Sequence, residues 1–441
     1  MIELLLGTLY GLLVGIVPSA GATTGLVVLY SFMYIFPNEY SAIIFIMATV
    51  AASTTADTFA SVLLGIPGAN SAAATIQDGY PLAKRGKAEL ALSAAITSST
   101  LNGLIWGLIV FLALENLSFI YNYIGSIQLW FITLFAFVCV VLVLGKKWYL
   151  GFIGIVLGVT FAVVGTDPIT NASRLTFGWQ YLESGFQLMP LIAGVFAIPQ
   201  IIDGLLGWSA PVQHSQKSYK LLGIYSVWKH LGLSLRGGAI GAIIGFLPGL
   251  GGAVSDWISY GHSVNTTKKP KIPFGKGNIR GVIGPEGSNN AQKATSMITT
   301  VLFGIPGAPF AAIIMGLLMY LNIELGDPSL FYDSAIFNSM LFGFLGGTIL
   351  VAIIMFVLLK PICKITKIPM KYFFPALLAL LIWASVQYTG GWEDYVIFLF
   401  FSIAGYIIHV LNISKPALLL TFILFERFEL LSVQLLTRYI L

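Results

Sequence analysis

The sequence is short of charge. Only 9% of its 441 residues are Asp, Glu, Lys or Arg, against roughly 25% in soluble globular domains. With 57% hydrophobic residues and a mean hydropathy of +0.89, a water-soluble fold is excluded. Cysteine is nearly absent. Cys139 and Cys363 lie in or beside apolar runs, far apart and without a metal-ligand spacing, which makes them packing residues that say nothing about redox compartment. His214, His230, His262 and His409 show no metal-like spacing either. There is no Gly-x-Ser-x-Gly nucleophile and no phosphate-binding Gly-x-x-x-x-Gly-Lys-Ser/Thr, so neither a catalytic residue nor ATP use is indicated. No cleavable leader is recognisable, and the first apolar segment is expected to stay. The net charge of +5 is small for the length. Its basic residues sit in short loop clusters, which reads as membrane topology and not as nucleic-acid binding.

What the chain does have is proline and glycine in doubled motifs. Gly15-Ile16-Val17-Pro18-Ser19-Ala20-Gly21 shares its spacing with Gly245-Phe246-Leu247-Pro248-Gly249-Leu250-Gly251. Leu64-Gly65-Ile66-Pro67-Gly68-Ala69 recurs almost letter for letter as Phe303-Gly304-Ile305-Pro306-Gly307-Ala308. The chain is therefore an internal duplication. Proline removes an amide donor and glycine weakens a helix, so each motif should break an apolar helix inside the bilayer and free backbone N–H and C=O groups. Such groups persist only where they face a ligand or a polar cavity. A helix opening just after a break aims amides and partial positive charge at one point, which suits a carboxylate. Transporters with discontinuous helices place their sites in this way, at corresponding positions of two repeats. A single such motif would be read as a kink.

The expected fold is an all-α polytopic membrane protein of about 10–12 membrane segments, a range set by the roughly 20 residues a helical span needs. It divides into a first repeat, 1–207, a polar linker, 208–235, expected in the cytoplasm, and a second repeat, 236–441. Residues 2–35 form two short legs around Pro18, and 41–66 is long enough to cross. Further spans are expected near 91–114, 128–145, 149–165, 186–207, 335–359, 373–388 and 395–411, with a short apolar segment after Pro416. No Lys or Arg lies in 22–64, whereas Lys84, Arg85 and Lys87 follow the second motif. In the second half the order reverses: six basic residues, Lys268 to Lys293, lie between the motifs and none in 307–359. With basic loops on the cytoplasmic side, corresponding loops face opposite sides, which is the pattern of two inverted repeats. It requires the Pro18 and Pro248 segments to be re-entrant and not full spans.

Asp57 and Asp256 are acids within the membrane repeats, and intramembrane carboxylates are by default functional candidates. Asp57 can serve an ion or proton, or cap a helix and bond to Thr54 or Thr58. Glu286, Asn289 and Asn290 group a charge and two amides after Gly284-Pro285, suited to a cation or a polar substrate. Lys293, one turn on, can meet a substrate carboxylate or neutralise Glu286, the latter favoured. Asp78 before Gly79 reads as a turn and cap residue. Ser19, Thr23, Thr24, Asn70 and Ser71 are small polar groups near the breaks.

These residues resemble the TctA family, the large membrane subunit of tripartite tricarboxylate transporters. The likeness rests on Gly15-x-x-Pro18, on Gly65-Ile66-Pro67-Gly68 with Asp78-Gly79-Tyr80-Pro81-Leu82-Ala83-Lys84-x-Gly86, and on Phe274-Gly275-Lys276-Gly277. Pro285-Glu286 with Asn289-Asn290-Ala291, and Gly304-Ile305-Pro306-Gly307, complete it. The resemblance implies secondary uptake of di- or tricarboxylates across the inner cell membrane, coupled to Na+ or H+ and without a resident cofactor or metal. It also implies a small membrane subunit and an extracytoplasmic substrate-binding protein as partners; the oligomeric state stays open, a homo-oligomer included. Its substrate environment falls on Ser19, Gly21, Thr23, Thr24, Pro67, Gly68, Asn70, Ser71, Pro248, Gly249, Gly251, Gly252, Asn289, Asn290, Pro306 and Gly307. Asp57, Asp256 and Glu286 are the ion-coupling candidates. Two other classes compete: an intramembrane hydrolase using Asp57 and Asp256, which leaves the doubled motifs unexplained, and a non-transporting scaffold subunit, which needs no polar residues at the breaks.

Overall fold

The computed structural model describes residues 1–17, 21–30, 32–65, 67–116, 125–142, 147–167, 170–199, 201–202, 219–248, 251–326, 330, 333–365, 375, 378–379, 382–383 and 391–439. Apart from a two-stranded hairpin pairing Gly165–Thr166 with Ser173–Arg174, the regular structure among these residues is helical.

The first half opens with α1 (Ile2–Ile16), α2 (Gly21–Tyr30), α3 (Glu39–Ala56) and α4 (Thr58–Leu64). The polar connection beyond them becomes a 3-10 turn at Asn70–Ala72 and the helix α5 (Ile76–Lys84). Long apolar helices follow as α6 (Ala88–Asn116), α7 (Ser126–Leu142) and α8 (Trp148–Ala162), then α9 (Leu188–Ile192), which continues as a π turn at Ala193–Ala197. Of the 208–235 connection, 208–218 lie outside the described residues; α10 (Lys220–Lys229) precedes α11 (Leu231–Phe246). The second half continues with α12 (Gly251–Thr266), α13 (Arg280–Phe303), α14 (Pro309–Tyr320), α15 (Ser334–Ile365), α16 (Trp392–Val410) and α17 (Lys415–Tyr439). Most of the expected span at 373–388 lies outside the described residues. The end of the chain is longer than the short segment expected, because α17 runs 25 residues through its own charges.

Among the described residues, Glu39–Leu64, Ala88–Leu114, Ser334–Ile362 and Trp392–Val410 are long and apolar enough to cross a membrane, and six shorter apolar helices accompany them. Leu108, Ile109 and Leu112 on α6, Ile353 and Val357 on α15, and Leu399, Ile403 and Ile407 on α16 point outward. A helix satisfies its own backbone groups, so such a face can meet lipid at no hydrogen-bonding cost.

Small residues bring the central helices together. Gly7, Gly11 and Gly15 recur every four residues along α1, so they line one face. A Cβ at any of them would stand 2.5–2.6 Å from the carbonyl oxygen of Phe45, Thr49 or Ser53 on α3. Gly237, Gly241 and Gly245 on α11 repeat the device, with no room for a Cβ against the backbone of Gly284, Ser288 and Gln292 on α13. Close backbone approach of this kind is how helices associate in a bilayer, where hydrophobic burial gives no net drive.

Both helix pairs then end alike. Gly65 closes α4 with φ 70° and ψ 21°, and Gly304 closes α13 with φ 62° and ψ 29°. Glycine enters this left-handed region without the cost a side chain imposes. The following proline prevents the helix from resuming. Ala69 and Ala308 are then extended, at φ −142° and −159°. In each half the freed glycine amide donates to a hydroxyl on the preceding helix, Gly68 to Ser61 Oγ at 3.4 Å and Gly307 to Thr300 Oγ1 at 3.2 Å.

Candidate functional site

The two breaks do not face separate surroundings. α13 carries Glu286, Asn289, Asn290 and Lys293 at spacings that put them on neighbouring turns, and it packs against α6, α12 and the α3–α4 joint. The expected span 41–66 is present as Glu39–Leu64 and carries a turn at that joint: α3 ends at Ala56, Asp57 keeps helical φ and ψ with its N–H bonded to the Ser53 carbonyl, and α4 starts at Thr58. Asp57, Asp256, Glu286, Asn289 and Asn290 are all at most 1% exposed. Burying such groups is costly unless each finds a partner, and most of the partners come from the other half of the chain.

Asp57 Oδ2 accepts from Ser71 Oγ at 3.2 Å, and Oδ1 from Asn289 Nδ2 at 3.4 Å. The same Asn289 amide donates to the Thr54 carbonyl at 3.2 Å, a bond left open where the helix breaks. Asn290 Nδ2 donates to Thr55 Oγ1 at 2.8 Å. Glu286 takes Thr58 Oγ1 at 2.9 Å and Thr75 Oγ1 at 2.7 Å, one on each oxygen. Asp256 Oδ2 accepts the Ala74 N–H at 2.6 Å. Asp78, read as a turn and cap residue, starts α5 but caps at long range: its Oδ1 accepts the Gly277 and Asn278 amides at 2.8 and 2.7 Å, and Oδ2 accepts Tyr260 Oη at 3.1 Å. Four carboxylate and amide side chains of the second half, Glu286, Asn289, Asn290 and Asp256, are thus held by the first, and Asp57 and Asp78 of the first half take bonds from the second.

The motif loops close on the same place. Gly21, at the start of α2, packs against Ala69, where a Cβ would stand 2.8 Å from the Ala69 Cβ. Gly251, at the start of α12, sits beside Pro309, and Gly252 lies against both Ser71 and the Gln292 amide oxygen. Pro248 and Pro306 are buried, and Pro67 is half-buried. Thr24 is buried and Thr23 half-buried on α2. Ser19 and Gly249 lie outside the described residues, as does the side chain of Asn70. A Cβ on Gly68 would run into the carbonyl of Asp57, and one on Gly307 would stand 2.7 Å from the Ser296 Cβ, so each loop folds back on its own helix.

Some buried polar atoms in this centre have no hydrogen-bond partner among the described residues. They are Asp256 Oδ1, Asn289 Oδ1, Asn290 Oδ1 and both amide atoms of Gln292. Native structures leave few such groups unpaired without a functional reason. Lys293 is 8% exposed, and its ammonium stands 4.5 Å from the centroid of the Phe310 ring. It makes no ion pair within 4.0 Å among the described residues, so the favoured pairing with Glu286 does not form; two threonines occupy that carboxylate instead. Sequence reasoning offered Thr58 as a partner for Asp57, whereas it holds Glu286, and it missed Thr75 and Gln292 as members of this centre. Gln292 carried a legible signal, one helical turn after Asn289 on a polar stretch, whereas Thr75 carried none. Among the described residues no group of three or more His, Cys, Asp or Glu side chains is placed to hold a metal ion.

A helical membrane protein with paired helix breaks around a buried, charge-bearing centre is the class that this geometry defines. The chain belongs to the tripartite tricarboxylate transporter TctA family, whose model matches residues 1–420. It is similar to an uncharacterized 52.8 kDa protein in the TAR-I ttuC' 3' region of Agrobacterium vitis, 29% identical over 430 residues, covering 95% of this chain and 83% of that protein. An uncharacterized protein in the TAR-II ttuC' 3' region of the same organism is 30% identical over 184 residues, 42% of this chain and 76% of that protein. No solved structure matches the chain. Membership makes it a component of a transporter family that works in multi-subunit assemblies, and not of an enzyme family.

Proposed function

We propose that the chain is the carboxylate-carrying permease subunit of a tripartite secondary transporter in the inner cell membrane. The observation that carries this reading is the convergence of both helix breaks on one buried centre holding Asp57, Glu286 and Asp256, with the starts of α2 and α12 beside it. Amides at the helix starts and at the breaks offer partial positive charge to an organic di- or tricarboxylate. A coupling cation would sit where carboxylates and freed carbonyls meet, with Asp57 the principal ligand; Na+ is the first choice and a proton on Asp57 the second. The reversed order of basic loops supports an inverted arrangement of the two halves, and inverted halves supply alternating access around a fixed site. A small membrane subunit and an extracytoplasmic binding protein complete the assembly, the latter delivering substrate.

The test is uptake of labelled citrate and succinate into liposomes holding the chain alone, then with its partner subunits, under separately imposed sodium and proton gradients. Accumulation driven by one gradient is the expected result. Silence of folded protein with all partners present would overturn the reading.

A further inference from the structure

We propose that Lys293 receives a carboxylate of the transported anion, making this site selective for substrates with at least two carboxylates. The proposal deepens the transport reading above and rests on it. Lys293 lies on the face of α13 that also carries Asn289, the residue that holds Asp57. Its ammonium is buried and stands over the face of the Phe310 ring. It forms no ion pair within 4.0 Å with Asp57 or any other carboxylate among the described residues. An aromatic face holds a cation less strongly than a carboxylate does. The ring is therefore a parking place that a charged ligand can empty.

A second observation points into the same space. Gln292, the preceding residue, is fully buried, and neither its amide nitrogen nor its amide oxygen has a partner among the described residues. Its oxygen faces Gly252, whose missing side chain also leaves Ser71 in contact, and Ser71 in turn donates to Asp57. A buried amide with both ends open, next to a helix start and a helix break, is the lining of a place where something polar binds. The neutral donors there suit one carboxylate. A full positive charge beside them adds a term that only a further carboxylate collects.

The experiment compares wild type, Lys293→Met and Lys293→Arg in proteoliposomes, measuring labelled citrate uptake and its inhibition by succinate and by succinamate, in which a neutral amide replaces one carboxylate. Methionine keeps the length of the chain and its packing on Phe310, so a purely structural lysine would tolerate it. The expected result is a KM for citrate raised about 30-fold or more in Lys293→Met with the saturated rate nearly unchanged, the size seen when one partner of a buried charge pair is removed. Wild type and Lys293→Arg should prefer succinate to succinamate, and Lys293→Met should not. Should the methionine variant fail to fold, Lys293→Gln, equally neutral, carries the same comparison. A neutral variant that keeps the wild-type KM and the preference for succinate would overturn the role of Lys293 while leaving the transport reading intact. A wild-type assembly that carries no carboxylate would remove both.

Discussion

The two helix breaks share a backbone conformation and differ in the side chains around them. In the register set by Gly65 and Gly304, Ser61 corresponds to Thr300 and Asp57 to Ser296, and both hydroxyls receive the same loop amide. In that register Glu286, Asn289, Asn290 and Lys293 of α13 correspond to Met47, Val50, Ala51 and Thr54 of α3. In the register of Gly21 and Gly251, Asp256 corresponds to Leu26. Along the helices that lead into the breaks, the first half keeps one acid, Asp57, at the α3–α4 joint, while the second keeps a continuous α13 lined with polar groups. The two breaks end their helices by the same device and carry different side chains beside it. The result is a site that is symmetric in its amides and asymmetric in its charges.

Substitutions at corresponding positions can break or sharpen that comparison. The largest expected effect is at Asp57: Asp57→Asn should abolish gradient-driven accumulation in folded protein, whereas Ser296→Ala should keep it. Equal losses at the two positions, read by uptake and by melting of the purified protein, would mean the charge is structural and the asymmetry empty. An intermediate effect is expected at the loop glycines. Gly68→Ala and Gly307→Ala should each cost about 1–3 kcal/mol through forced backbone shifts. Only Gly68→Ala should also reduce uptake at temperatures where the protein stays folded, because its Cβ would push on Asp57 itself. The smallest effect is at the hydroxyls that take the loop amides: Ser61→Ala and Thr300→Val should each destabilise by about 0.5–1.5 kcal/mol and by similar amounts. A clear inequality between them in denaturation would show that the two breaks are not equivalent after all.

Much of this was legible before any coordinates, because proline, glycine and charge act locally. Gly65-x-Pro67 and Gly304-x-Pro306 announce a helix end by the conformations they allow, and Asp57, Glu286 and Asn289 stand out in an apolar chain. What stayed hidden depends on partners distant in sequence. Thr58 and Thr75 look like ordinary helix and turn residues until Glu286 arrives between them. Asp78 kept its capping chemistry but applied it to amides at Gly277 and Asn278, which no local pattern encodes. The length of α17 was misread because Glu426, Arg427 and Glu429 suggest an end to an apolar helix. In the structure Arg427 donates to the Phe303 carbonyl at 3.0 Å, and Glu429 holds Arg174 of the hairpin through two bonds at 2.8 and 3.2 Å, so the helix continues.

The bond from Arg427 to Phe303 also sets an order of events during synthesis. Phe303 is the last residue of α13 before the second break, and its carbonyl is one of those that the break leaves without a helical donor. The group that covers it is encoded 124 positions later, near the end of the chain. The loop amide of each break finds its hydroxyl seven residues back, but the Phe303 carbonyl is covered only once Arg427 has been made. A chain that stops short of residue 427 carries every motif of the duplication and still lacks the contact that seals its second opening.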